Sequence, residues 1–254
     1  MAGKGKYYES QFEEATIELL RESHWQYTFG DDIHRKYTDP LIEEDLRTFL
    51  AAQYKDKKLT ASEVDGIVAN LRNTGGQNDY YALQNTFLLY RDGYDFTYSD
   101  SRDNPFRLQY IDFEHPDHNI FRCVNQFVME QGRENRRPDI LLFVNGIPVC
   151  IVELKNPTKQ NATIRDAHTQ ICTRYMRDIP ALLKYCALAV ISDGAKNELG
   201  TTYTPFEFFY EWKKIDNEDK AGKGLDTLRT LVRGALSPER ILEILRDYVY
   251  FPDP

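Results

Sequence analysis

The sequence predicts an α/β protein whose first hundred residues are mainly helical and whose centre is rich in strands. Three observations predict it. Helix-like stretches with their own start signals precede Asp103, β-rich runs follow it, and two of those runs meet at Asn145-Gly146.

The elements follow in order. Glu9 to Glu22 reads as an amphipathic helix, with Phe12, Ala15, Ile17, Leu19 and Leu20 supplying its apolar side. Asp39-Pro40 fits an N-cap followed by proline at the first helical position, so a second helix is expected from there to about Tyr54. Thr60 to Glu63 is a capping-box pattern that starts a third helix ending near Asn73, and Gln77 to Tyr90 reads as a fourth. After Asp103, strands are expected at Arg107 to Phe113 and at Ile120 to Met129. Asp139 to Val144 and Ile147 to Leu154 then form a hairpin, because Asn-Gly between two β-rich runs supplies the positive φ angles of a two-residue turn. A helix is expected over Lys159 to Asp178, a buried strand over Tyr185 to Ser192, and another strand over Thr202 to Trp212. A polar linker (Asp216 to Gly224) leads to two closing helices, the second capped by Ser237-Pro238.

Composition narrows the function. A chain of 254 residues with 41% hydrophobic and 28% charged side chains has enough apolar material for a core without disulfide staples. No apolar run exceeds seven residues (Tyr185 to Ile191), too short to span a bilayer, and no apolar segment follows the first lysines as a secretory signal would need. Cys123, Cys150, Cys172 and Cys186 are scattered, which fits a reducing compartment, and a cytoplasmic location is expected. The net charge of −8 argues against a general polyanion binder, but Gln131 to Arg177 carries eight basic against four acidic side chains. Any anion is expected to be handled there.

That stretch contains the chemistry. Asp139 opens one strand of the hairpin, and Glu153 and Lys155 close the other. Residues two apart on a strand face the same side, so Glu153 and Lys155 project together at the end where Asp139 begins. Two carboxylates with a backbone carbonyl and waters make a hard oxygen site suited to Mg²⁺. A lysine beside it can position a water or stabilise charge on a phosphate, while Arg136, Arg137 and Lys159 can hold an anionic substrate. The competing reading is a surface ion pair between Glu153 and Lys155. His115 and His118, in Glu-His-Pro-Asp-His, can be read as metal ligands, but a polar turn between strands accounts for them, and the five histidines lack zinc-ligand spacing.

Pro138-Asp139, then thirteen residues, then Glu153-Leu154-Lys155 resembles the PD-(D/E)xK nuclease motif. The wider text from Asn135 to Pro157, with Arg177-Asp-Ile-Pro-Ala-Leu-Leu and Ile191-Ser-Asp-Gly, is similar to the N-terminal nuclease domain of the restriction (HsdR) subunit of type I restriction–modification enzymes. The resemblance covers about Phe87 to Trp212 well. It implies a restriction-endonuclease-like core: a central mixed β-sheet flanked by helices. It also implies Mg²⁺-dependent cleavage of double-stranded DNA, with Mn²⁺ able to substitute, and partnership with specificity and methylation subunits. In that family an ATP-driven motor follows the nuclease domain. No Gly-x-x-x-x-Gly-Lys-Ser/Thr loop occurs here, so ATP would serve only the missing motor domains.

The resemblance further implies a glutamine and tyrosine on the helix after the lysine strand. Gln170 and Tyr175 match, but one residue further apart than the family pattern, so Gln170 acts with Arg174 or a helical bulge restores its pairing with Tyr175. Arg174 and Tyr175 are expected beside the DNA. A first-helix glutamate is implied for the metal, with Glu13, Glu14 and Glu18 as candidates and Glu14 preferred. The expected layout is a nuclease domain over 1–215, with a helical insertion near 40–90, and then 216–254 as linker and C-terminal helices. A stand-alone nuclease and a non-catalytic DNA-docking module are the alternatives.

Overall fold

A computed structural model describes residues 2–100, 102–155, 163–215 and 225–252. Its centre is a seven-stranded mixed sheet in the order β1 (Gln26–Phe29), β4 (Phe121–Asn125), β7 (Ile140–Val144), β8 (Ile147–Leu154), β9 (Leu188–Ser192), β10 (Asn197–Thr201), β11 (Tyr210–Glu211). The β1–β4 and β8–β9 pairs are parallel and the other neighbours antiparallel. Two small hairpins stand outside it: β2 (Tyr94–Phe96) with β3 (Phe106–Leu108), and β5 (Met129–Gln131) with β6 (Glu134–Arg136).

Every residue of β7 and β8 is buried, as expected of strands covered on both faces. On one face Ile140, Leu142 and Val152 pack with helices α1 (Ala2–Glu22), α2 (Glu43–Gln53), α3 (Ala61–Asn73), α4 (Asp79–Asp92), α8 (Leu225–Ala235) and α9 (Pro238–Asp247). On the other, Leu141, Phe143, Ile151 and Ile191 meet α5 (Ile164–Thr169), a π-helical segment (Gln170–Tyr175), α6 (Met176–Asp178) and α7 (Pro180–Leu183). The closing helices belong to the first of these cores: Leu228, Leu231, Leu242 and Leu245 share it with Phe12 and Leu20, and Trp25 Nε1 donates to Leu236 O at 2.6 Å. Among the described residues no helix is long and apolar enough to cross a membrane.

The Asn145-Gly146 turn is as expected, with φ angles of 51° and 74°. It is also buried. Asn145 Oδ1 accepts the Ile120 N–H at 2.8 Å, and its Nδ2 donates to Tyr110 O and Asn119 Oδ1. Gly146 O accepts the Ile42 N–H at 2.9 Å, and a Cβ on Gly146 would lie 2.1 Å from Ile42 O. Only glycine fits there.

That contact corrects one expectation. Helix α2 starts at Glu43 rather than Pro40, because Leu41 and Ile42 are buried and Ile42 spends its N–H on the turn. Asp39 instead makes a local turn, accepting the Leu41 N–H at 3.1 Å. The capping box at Thr60 and Glu63 is present, and α3 ends at Asn73 as expected. The expected strand at Arg107 to Phe113 is short, because past Leu108 the chain is taken up by side-chain bonds such as Asn119 to Asp112. The run Ile120 to Met129 breaks at Gln126, which adopts φ 55° and donates its N–H to Asp139 O at 3.2 Å. The run Thr202 to Trp212 is mostly irregular, since Pro205 opens a short 3-10 turn (Phe206–Phe208) and only Tyr210–Glu211 pair with β10. Strands β1, β2 and β10 had no clear signal. The start of the helix expected from Lys159 and the linker Asp216 to Gly224 lie outside the described residues.

Candidate active site

The site lies at the open end of the β7–β8 hairpin. Ile140 is opposite Val152, which brings Asp139 alongside Glu153 one step further on. Both carboxylates lie on the face covered by α5 and the π segment, because Leu141 and Ile151, two residues inward on each strand, pack there. Asp139 Oδ2 accepts the Leu154 N–H at 2.7 Å, which fixes its carboxylate across the strand end. Lys155 leaves the sheet with its N–H on Ser192 O at 2.7 Å.

Glu153 is almost completely buried, with 2% of its side chain exposed, and Lys155 Nζ lies 2.8 Å from its Oε1. The same ammonium donates to Gln170 Oε1 at 2.7 Å; Gln170 Nε2 donates to Tyr175 OH at 2.7 Å; Tyr175 OH donates to Glu153 Oε2 at 3.3 Å. Glu153, Lys155, Gln170 and Tyr175 thus close a ring of hydrogen bonds. Burial, reinforced by the charge of Asp139, pushes the Glu153 carboxyl up to about 8, against the opposing pull of Lys155. Burial also raises the Tyr175 hydroxyl, so it stays a donor at neutral pH.

The helix carries the means of closing that ring. Gln170–Tyr175 is π-helical, with bonds from i to i+5, so side chains five apart return to the same face. On an α-helix they would diverge by about 140°. The partner of Gln170 is therefore Tyr175; Arg174 is exposed on the same segment.

The first helix approaches from the other side. Glu13 Oε1 accepts from Asn125 Nδ2 at 2.7 Å and from Gln126 Nε2 at 2.9 Å, at the strand end whose next residue bonds to Asp139. Glu14, the expected glutamate, is exposed, and Glu18 pairs with Arg21 at 3.1 Å on the surface. Asn125 and Gln126 were missed in the sequence. Their signal was two amides ending an apolar strand.

The basic side chains divide. Arg136 Nε donates to Asp178 Oδ2 at 2.7 Å and a second nitrogen binds Glu134, so this arginine ties β6 to the end of the site helix. Asp178, also unforeseen, is buried and accepts from Arg177 at 2.6 Å. Arg137 and Arg174 are exposed, Tyr175 is buried within the ring, and Lys159 lies outside the described residues.

A mixed sheet that brings an aspartate, a buried glutamate and a lysine to one hairpin end, flanked by helices, has the layout of a PD-(D/E)xK core. The family described as "Type I restriction enzyme R protein N terminus (HSDR_N)" matches residues 6–208, and the chain belongs to it, as the endonuclease-domain region of such an R subunit. It is 30% identical over 255 residues to the type I restriction enzyme HindI endonuclease subunit of Haemophilus influenzae, covering 96% of this chain and 24% of that protein. Over 133 residues it is 32% identical to the EcoprrI endonuclease subunit of Escherichia coli, covering 49% of this chain and 40% of that one. A Staphylococcus saprophyticus relative, the SsaAORF53P endonuclease subunit, is 23% identical over 215 residues, covering 81% of this chain and 21% of its own length. The chain thus spans about a quarter of the length of the Haemophilus subunit.

Proposed function

We propose that this region hydrolyses phosphodiester bonds of double-stranded DNA with a divalent cation, Mg²⁺ or Mn²⁺, held by Asp139 and Glu153. The observation that carries the reading is geometric: the hairpin register sets Asp139 beside a buried Glu153 at one strand end, and that burial with the charge of Asp139 raises the Glu153 carboxyl. The donor set fits: two carboxylates and a strand-end carbonyl are hard oxygen ligands, and no sulfur or imidazole adjoins them in the described ring. When bound, the cation would polarise the phosphate and lower the pKa of a bound water. Lys155 is the group aimed at the reacting phosphate. Its ammonium is held by Glu153 and Gln170, so its orientation costs no reorganisation during the reaction. Tyr175 and Gln170 are positioning residues, since they reach the chemistry through Glu153 and Lys155. Glu13 takes the part expected of Glu14, turned toward the site by Asn125 and Gln126.

In the intact R subunit, supplied with its specificity and methylation subunits, chelation of divalent ions and Asp139→Ala should each abolish plasmid cleavage. Glu13→Gln should reduce it less. Full cutting by Asp139→Ala would sink the assignment.

DNA contact falls to the exposed basic side chains. Each phosphate neutralised releases counterions, so Arg137→Ala should lower the slope of log affinity against log salt by about 1. Arg136→Ala should leave that slope unchanged and lower stability, because Arg136 is spent on Asp178 and Glu134. Equal slopes for Arg137→Ala and the wild type would exclude Arg137 as a phosphate contact.

A further inference from the structure

The far end of the sheet carries a second cluster of ligating side chains. Asp112, His115 and His118 follow one another at intervals of three residues; His115 caps a 3-10 turn (Pro116–His118) and His118 ends it. Side chains three apart eclipse on such a turn, so both imidazoles look the same way. Their rings stack with centroids 4.8 Å apart. Both Nδ1 atoms face one oxygen: His118 Nδ1 is 2.9 Å and His115 Nδ1 3.4 Å from Asp112 Oδ2.

We propose that Asp112, His115 and His118 bind a borderline transition-metal ion of the Zn²⁺ class, which pins the loop ahead of β4. Metal–nitrogen and metal–oxygen bonds of about 2.0–2.2 Å put tetrahedral donors roughly 3.3–3.5 Å apart. The His115–Asp112 spacing of 3.4 Å meets this. The 2.9 Å His118–Asp112 contact is a hydrogen bond that the ion would replace, and all three ligand atoms lie within 4.8 Å of one another. Two imidazoles with one carboxylate select such an ion over Mg²⁺. With 59% and 50% of the histidine side chains exposed, a fourth position is left to water.

The carboxylate is built in. Its side chain is 7% exposed, its Oδ1 accepts the N–H groups of Glu114 and His115, and its backbone exchanges two hydrogen bonds with the Asn119 amide. Gln53 Nε2 donates to Oδ2 at 3.0 Å from the end of α2, an outer partner of the kind that orients a ligating carboxylate. The loop it would pin also meets α9, where Arg246 donates to Phe113 O. The site is separate from the carboxylates of the hairpin. Phe121 of β4 pairs with Val144 beside the turn, so a whole strand, roughly 15 Å, lies between the two.

The sequence pattern hid this cluster because Asp112 is contributed by the loop's entry and is buried only once Asn119 folds back on it. The local reading of His115 to His118 as a turn is accurate; the third ligand was the missing part.

The test is a ZnCl₂ titration of the tag-free chain, followed by calorimetry and by the imidazole nitrogen resonances. Asp139→Ala should bind one ion, with Nδ1 of His115 and His118 shifting. The wild type should show that same imidazole site with equal affinity, beside any zinc taken by the Asp139 and Glu153 carboxylates. His115→Ala and His118→Ala, changes at exposed side chains, should each weaken binding by about a hundredfold or more, and Gln53→Leu by about tenfold. Zinc should raise the unfolding temperature of the wild type and not of His118→Ala. Undiminished binding when His118→Ala is added to Asp139→Ala, or loss of binding in Asp139→Ala with the imidazole signals unmoved, would overturn the proposal.

Discussion

Lys155→Ala is expected to abolish DNA cutting by the intact subunit, a loss of at least about 10²–10³ in rate, while DNA binding stays near wild type. The reason is where the ammonium acts. Held by Glu153 Oε1 and Gln170 Oε1, it meets charge that develops only in the transition state, so it contributes to rate and little to ground-state binding. The fold should survive the change, because burial already holds the Glu153 carboxyl up to about 8, so it does not depend on a cationic partner near neutral pH. Lys155→Arg should also fail: a planar fork cannot take the place of a compact ammonium between two oxygens 2.8 and 2.7 Å away. A surface ion pair would behave otherwise, costing about 0–1 kcal/mol of stability and leaving cutting alone. Rate assays on plasmid DNA, with binding measured in parallel, separate the two.

Glu153→Gln should destroy cutting and yet make the metal-free protein more stable in alkaline solution. The folded chain holds the Glu153 proton up to about 8, well above the ordinary carboxyl range. It therefore binds more protons than the unfolded chain between roughly pH 4.5 and 8. Stability from this group is complete below that window and is lost as pH rises through it. Above it the buried carboxylate costs on the order of 5 kcal/mol, a penalty that glutamine does not carry. The two proteins should unfold alike near pH 5, and the variant should be the more stable at pH 9. Divalent cations should rescue the wild type alone. Parallel pH profiles in denaturant titrations would contradict this.

What the sequence could and could not reveal follows from the range of the interactions. The hairpin was legible because alternation and Asn-Gly are local, and the positive φ angles at Asn145 and Gly146 are met within two residues. Asp139, Glu153 and Lys155 were placed by the same pleat arithmetic. Glu13 and Glu14 were not separable, since neighbours on a helix differ by about 100° and both lie between Phe12 and Ala15. What distinguishes Glu13 is its bonds to Asn125 and Gln126, which arrive from a strand more than a hundred residues later. Likewise Gln170 and Tyr175 could be joined only by a π segment, a backbone irregularity with no compositional mark. The bond of Arg136 to Asp178 was not legible either, because the partner lies 42 residues away.

The central claim is that Asp139 and Glu153 share a divalent cation. Calorimetric titration of the chain with MnCl₂ at pH 7, in two buffers of different ionisation enthalpy, tests it most directly. One ion should bind per chain and release about one proton, the one that Glu153 holds, and Asp139→Ala and Glu153→Gln should lose that binding. A wild-type chain that takes up no manganese, or binding that persists in Asp139→Ala with no proton released, would contradict the account.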